Sequence, residues 1–420
     1  MNKALLVSTA LALTGMALGQ NRIDTIRPDS PALAPYGELQ IGVQTLNVVH
    51  PNQLDIVKAT AGNPIPTYDR PLTLEVWYPA ALTAEQKPGG VYETTTRDAS
   101  IPIQVHGKAV RNATPQTAKG PYPLVIVSHG YPGNRYLLSH LTENLASKGY
   151  VVVAIDHTDS TFGDQKAFAS TLMNRPLDQL FVLNEIAKLS AQGSQSFLSG
   201  LVDVQNTALV GYSMGGYGVV NTIGGGFTDF ATTLQFAPPS KALALRAASN
   251  PEYAKTIDPR IKAAIAIAPW GMQVGFWNAQ TLEGIKTPVL FVAGDIDDVS
   301  GYEKGTKAIF EQAIHADRYL LTFHNANHNA AAPMPAPLET YSNFPLFESY
   351  AEAAWDTVKM NNILAHFATA FLGQHLKGQT DLQKYLNLTE KSSEGTGDSY
   401  WEGFKPRTAV GLSLQHLPAR

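Results

Sequence analysis

The chain has no cysteine, and that absence excludes disulfide cross-links, thiolate metal centres and a thiol nucleophile. The folded protein must be held together by its core. An excess of one charge is missing as well: 31 Lys and Arg stand against 35 Asp and Glu over 420 residues. Neither a basic stripe nor an aromatic–basic repeat occurs, so the composition points to no nucleic-acid partner. There is no internal repeat. At the start of the chain, Met1-Asn2-Lys3 leads into an apolar run over 4–18 and the small-residue end Ala17-Leu18-Gly19. One positive charge, a short apolar run and such an end read as a secretory signal peptide over 1–19, which implies a secreted or periplasmic protein. The run is short for a membrane anchor, and no transmembrane span is expected in the mature chain. No cysteine follows it, so a lipid-attached lipoprotein is excluded.

What is present is an ordinary globular composition, 44% hydrophobic, on a chain long enough for one large catalytic domain with additions. Its most informative stretch is Thr207-Ala208-Leu209-Val210-Gly211-Tyr212-Ser213-Met214-Gly215-Gly216. A short apolar strand runs into Gly-x-Ser-x-Gly and out into a small-residue helix start, the pattern of a nucleophile elbow. Glycine is needed on both sides because the turn is strained and a Cβ at Gly211 or Gly215 would meet the neighbouring strand or helix. Around this stretch the chain divides into an N-terminal extension (20–68), a catalytic domain (69–373) and a C-terminal tail (374–420). Strands are expected at 39–49, 71–79, 123–128, 150–155, 261–268, 289–294 and 319–323, with another near 410–414. The runs at 123–128 and 150–155 are continuously apolar, as central parallel strands covered on both faces are. A helix at 136–148 between them completes a right-handed βαβ unit, so an α/β fold with a mostly parallel, doubly wound sheet is expected. Further helices are expected at 177–189 and 350–372. Residues 227–259 are too long for a connection and carry Phe227, Phe230, Phe236 and Leu243, which suggests a cap or lid over the site, or else a further core helix.

Ser213, a later Asp after a strand and a His after the last strand follow the chain order of α/β-hydrolase triads, each at a strand's C-terminal end. A serine hydroxyl needs an adjacent imidazole to take its proton, and the imidazole needs a carboxylate to fix its tautomer. His328 is preferred as base over His324, because it lies in the loop beyond the strand among small residues. Asp297 is preferred as acid over Asp295 and Asp298, which can cap a helix or face solvent. A calcium site made of Asp295, Asp297, Asp298 and Glu303 is the competing reading, and its spacing does not match a calcium loop. The amides of Met214 and Tyr131 are candidate oxyanion donors. His129 reads as structural, whereas Tyr131 and Trp270 can wall a substrate cleft, with core packing the alternative for Trp270.

Two further segments extend the pattern. Ser128-His129-Gly130 followed by Gly133-x-Arg135, then Leu145-Ala146-Ser147-Lys148-Gly149-Tyr150-Val151-Val152-Val153-Ala154-Ile155-Asp156-His157, then the elbow, resemble the platelet-activating-factor acetylhydrolase and dienelactone-hydrolase-like esterases over roughly residues 70–330. The resemblance implies an α/β-hydrolase fold, a serine esterase mechanism and no cofactor. It departs in two places. Dienelactone hydrolases carry a cysteine where this chain has Ser213. In the acetylhydrolases the acid just precedes the Ala-Trp after the elbow, where this chain has Ala268. An acid moved to the next strand, together with Gly130-Tyr131 and Ala268-Pro269-Trp270, is similar to bacterial cutinases and polyester hydrolases, whose Tyr and Trp line the cleft. The expected function is hydrolysis of apolar, aromatic or short-acyl esters, polyesters included. The alternatives are an acetylhydrolase of phospholipid-like esters, a serine peptidase or amidase, and, in another class, a non-catalytic binding protein on the same fold.

Overall fold

The computed structural model describes residues 19–60, 62–394 and 401–420. The expected signal peptide, apart from Gly19, lies outside the described residues. The main strands are β1 (Gln40–Leu54), β2 (Thr67–Ala81), β3 (Tyr122–Ser128), β4 (Val151–Asp156), β5 (Val202–Tyr212), β6 (Ile261–Ile267), β7 (Val289–Gly294), β8 (Arg318–Phe323) and β9 (Leu412–Leu417). The larger helices are α1 (Ser139–Ser147), α2 (Phe168–Ser190), α3 (Met214–Thr222), α4 (Lys307–Gln312) and α5 (Thr357–Lys377). With two short strands at its β1 and β2 edge they make an eleven-stranded sheet in the order β9-β8-β7-β6-β5-β3-β4-β2-β1. Strands β3 to β8 pair in parallel, while β2 is antiparallel to both β1 and β4, and β9 is antiparallel to β8. Among the described residues no helix is long and apolar enough to cross a membrane.

The strands are apolar throughout because both faces are covered. Successive side chains alternate between faces: Leu124 and Ile126 join the core beneath α2 and α3, and Val125 and Val127 join the core beneath α1 and α5. Strand β5 is split the same way at Leu209 and at Ala208 and Val210. The reversal between β5 and β3 therefore sits at the centre of the sheet, where the carboxyl ends of the strands open a crevice. The elbow follows β5 there.

Several element bounds differ from those read in the sequence, each for a local reason. Helix α2 begins nine residues before the expected start, at Phe168, and runs through Pro176. A proline inside a helix leaves the carbonyl four residues earlier without its amide, and the Tyr217 hydroxyl donates to that orphaned Leu172 oxygen at 2.9 Å. Helix α5 starts at Thr357 rather than 350, because the Asp356 side chain caps it by accepting from the Lys359 amide. Residues 227–259 contain short turns and a one-turn helix at Pro251–Ala254, with Phe227 and Leu243 buried and Phe230, Phe236 and Leu245 exposed. Strand β9 comes from the C-terminal tail and forms one edge of the sheet.

Candidate active site

Ser213 follows β5 directly, with φ 54° and ψ −114°, a positive-φ backbone that is costly for any residue with a Cβ. The elbow holds it there by backbone bonds: its amide donates to Ile267 O at 2.8 Å, and the Trp270 amide donates to Ser213 O at 3.3 Å. The flanking glycines have no alternative. A Cβ on Gly211 would stand 2.2 Å from Gly215 O, and one on Gly215 2.1 Å from Ser128 O. The turn thus packs its backbone directly on β3 and projects the hydroxyl from the strand end.

The Ser213 hydroxyl lies 2.9 Å from His328 Nε2. On the other side of the ring, Nδ1 is 2.9 and 3.1 Å from the two oxygens of Asp297. Asp297 also accepts the amides of Val299 at 2.9 Å and Ser300 at 2.8 Å, and its side chain is fully buried. Burial by itself raises this carboxyl, but the His328 hydrogen bond and charge and the amides outweigh it, so the group is held below the ordinary carboxylate range. An ionised Asp297 keeps the ring proton on Nδ1 and leaves Nε2 to face the serine as an acceptor.

The competing residues are placed elsewhere. His324 pairs through Nδ1 with Asp295 at 2.8 Å near the surface, and the Asp298 amide donates to Asn327. Glu303 pairs with Lys307. Asp295, Asp297, Asp298 and Glu303 therefore have different partners, and among the described residues no group of three His, Asp or Glu converges as a metal site. Ala268, the position of the acid in the acetylhydrolase pattern, has no carboxylate to offer; its carbonyl accepts from the Ser300 hydroxyl at 2.8 Å and its amide donates to Val292 O at 2.8 Å.

Met214 is the first residue of α3, so its amide has no partner within the helix. Tyr131 follows Gly130, which packs against the elbow; its hydroxyl donates to Lys166 O at 3.2 Å. Trp270 is half-buried in an aromatic cluster, with ring centroids 5.4 Å from Phe168, 6.1 Å from Phe236 and 5.6 Å from Phe276. A cavity of about 870 Å³ opens on the His328 side, lined by Ser213, His328, Tyr131, Tyr212, Phe162 and Phe344 among others. Trp270 is not in that lining.

One contributor has no signal in the sequence. Glu352 accepts the Asn327 amide at 2.5 Å and the Asn329 amide at 2.7 Å, one on each side of His328. A single carboxylate so fixes the loop that carries the imidazole. Asn329 adds a second tie, accepting from the Tyr212 hydroxyl at 2.8 Å. Residue 352 falls in a stretch whose spacing reads as helix, and only the tertiary fold turns it toward the loop.

The fold and the Ser-His-Asp geometry define an α/β-hydrolase scaffold with a serine-centred hydrogen-bonded array at the strand ends. Known proteins are similar to this chain in the scaffold. The family described as platelet-activating factor acetylhydrolase, isoform II, matches residues 100–181, a stretch that includes His129 to Tyr131 but not Ser213, Asp297 or His328. A cutinase of Thermobifida alba is 25% identical over 210 residues, covering 50% of this chain and 54% of that protein. A cutinase of Thermobifida fusca is 27% identical over 179 residues, covering 43% and 40%. A bis(hydroxyethyl) terephthalate hydrolase of Streptomyces coelicolor is 21% identical over 264 residues, covering 63% and 68%. The chain thus spans about half the length of the cutinases it matches. The solved structure of a ferulic acid esterase from Streptomyces cinnamoneus has a TM-score of 0.56 at 22% identity, covering 84% of this chain and 94% of that one, and it shares the α/β-hydrolase fold.

Proposed function

We propose that this chain is a serine carboxylester hydrolase, with Ser213 as nucleophile, His328 as general base and Asp297 as the carboxylate that orients it. The single observation that carries the reading is the continuous hydrogen-bonded series Ser213–His328–Asp297, at 2.9 and 2.9 Å, beginning at a strained elbow. His328 takes the Ser213 proton as the hydroxyl oxygen attacks the ester carbonyl, and the Tyr131 and Met214 amides receive the oxyanion. The imidazolium then gives its proton to the leaving alcohol. A water activated by the same imidazole releases the acid and frees Ser213.

The substrates we propose are apolar, aromatic or short-acyl esters, polyesters included. The support is the aromatic cluster of Trp270, Phe168 and Phe236 beside the elbow, the apolar side chains around the cavity, and the cutinases and terephthalate-ester hydrolase among the relatives. Residues 227–259 form a wall beside this cluster through Phe236, and residues 1–19 act as a leader that sends the enzyme to a secreted or periplasmic location. The test is a panel of p-nitrophenyl esters, a polyester film and an amide, assayed with the wild type and with Ser213→Ala. Ester turnover that disappears in the variant is expected. Turnover retained by Ser213→Ala, or amide hydrolysis with no ester hydrolysis, would overturn the proposal. In the same panel Trp270→Ala should raise KM for aromatic esters more than for acetyl esters, and equal changes would remove Trp270 from substrate contact.

A further inference from the structure

Behind the loop 128–131 the interior holds polar groups that the proposed chemistry does not use. Arg175, on α2, is fully buried, and among the described residues it forms no ion pair within 4.0 Å. Its guanidinium goes to two backbone carbonyls and one hydroxyl instead. Nη1 donates to His129 O at 2.6 Å, and Nη2 donates to Gly130 O at 3.2 Å and to Ser160 Oγ at 2.8 Å. Burying a guanidinium without a paired carboxylate is costly, and packing alone does not require it. Gly130 O has a second partner, His129 Nδ1, at 2.7 Å. The donor is identified by the rest of the ring: His129 Nε2 accepts the His157 amide at 3.2 Å, so the proton of the neutral imidazole sits on Nδ1.

The carbonyl of Gly130 and the amide of Tyr131 share one trans peptide plane and point in opposite directions. Drawing the oxygen into the interior therefore turns the N–H outward. The direction matters because this peptide lies against the nucleophile: a Cβ on Gly130 would stand 3.3 Å from Ser213 Cβ. Donors on the carbonyl also polarise the peptide and strengthen its N–H as a hydrogen-bond donor. The same interior framework reaches the elbow. Gln179, one turn along α2, donates to Ser128 Oγ at 2.9 Å and to Gly215 O at 3.2 Å. Ser128 Oγ meets His157 Nε2 at 2.9 Å, His157 Nδ1 meets Asp178 at 2.9 Å, and Arg70 grips Asp178 at 2.9 and 3.0 Å. This Ser-His-Asp series is sealed in the core and serves as a brace.

We propose that Arg175, seconded by His129, is a positioning residue that fixes the Gly130–Tyr131 peptide so that the Tyr131 N–H meets the oxyanion formed at Ser213. The inference rests on the esterase reading above. Its test uses Arg175→Gln and Arg175→Lys in the full chain, measuring kcat, KM, the pH profile and the inhibition constant of an aryl boronic acid, whose tetrahedral adduct on serine places an anionic oxygen in the same hole. Loss of a single oxyanion donor lowers kcat by about 10²–10³, so a mis-set donor should lower it by about 10- to 100-fold, with KM within about twofold. The boronic acid should weaken by the same factor, the pH profile should keep its shape, and the lysine variant, which can still reach a carbonyl, should fall between. Unchanged kcat and boronate affinity overturn the inference. So does loss of kcat with boronate affinity intact, since that is general structural damage. Should Arg175→Gln not fold, Arg175→Lys and His129→Phe, which removes the second donor to Gly130 O, carry the same measurements. Fluorophosphonate labelling of wild-type Ser213 in the same preparation separates the two claims: no labelling removes the esterase reading, whereas labelling with unaffected Arg175 variants removes only the positioning role.

Discussion

Asp297 and its two neighbours separate by what each carboxylate touches. Asp297 is buried on the ring of His328 and is held ionised, whereas Asp295 serves His324 and the Asn325 amide near the surface, and Asp298 is exposed. Asparagine at 297 keeps the shape but places a donor where Nδ1–H must find an acceptor, so the wrong tautomer is favoured and turnover should fall by about 10³ to 10⁴. Asparagine at 295 or 298 should leave kcat near wild type and cost at most about 1 kcal/mol of stability. The three variants, each checked for folding and compared on one ester, decide the matter: a crippled Asp295→Asn beside an active Asp297→Asn would reassign the acid. Glu352→Gln should lower kcat with little change in KM, because an amide has only one oxygen for the two N–H groups flanking His328. An unchanged kcat would make that clamp dispensable. At this scale the sequence is informative where chemistry follows motif and strand end, and the structure places Ser213, His328 and Asp297 within hydrogen-bond distance in series. It is silent on Glu352 and Arg175, which reach backbone atoms 23 to 25 and 45 to 46 residues away. No residue pattern marks a side chain that acts on a distant peptide group.

The elbow is the element whose geometry is most tightly determined. The Cβ positions of Gly211 and Gly215 are occupied by backbone carbonyls of Gly215 and Ser128, neither of which can rotate away. Alanine at either site should therefore destabilise the protein by about 3 kcal/mol and remove activity with it. Denaturant unfolding of Gly215→Ala with near wild-type stability would contradict the close packing of elbow on β3. The other elements were legible in proportion to how local their causes are. Strands β3, β4 and β7 stand out because both faces are covered and the sequence is continuously apolar. The start of α2 is not legible in the sequence because proline normally ends a helix, and the Tyr217 hydroxyl that relieves Pro176 lies 45 residues away from the carbonyl it satisfies. The start of α5 is obscured because apolar spacing before Asp356 resembles helix, while the cap that begins it depends on one side chain.

Across the whole molecule, several histidines are buried as neutral groups. Burial lowers His140 to about 3 and, with a smaller contribution from Lys148, lowers His366 to about 3, from an ordinary 6.5. Between those values the unfolded chain binds more protons than the folded one, so the stability is fully present above about pH 6.5 and is lost as pH falls. Urea unfolding should show a midpoint that drops steadily from pH 7 to pH 5, and a flat or rising midpoint would mean these rings are solvated. The sheet carries Ser213 at the strand ends of β5 and β3, and everything proposed about function depends on its being a reactive hydroxyl there. The most direct measurement is intact and peptide mass spectrometry after treatment with a fluorophosphonate. One adduct per chain on the peptide containing Ser213, absent from Ser213→Ala and formed much more slowly in His328→Ala, is the expected result. A labelled serine elsewhere, or ester hydrolysis that continues in a chain whose Ser213 is fully modified, would contradict it.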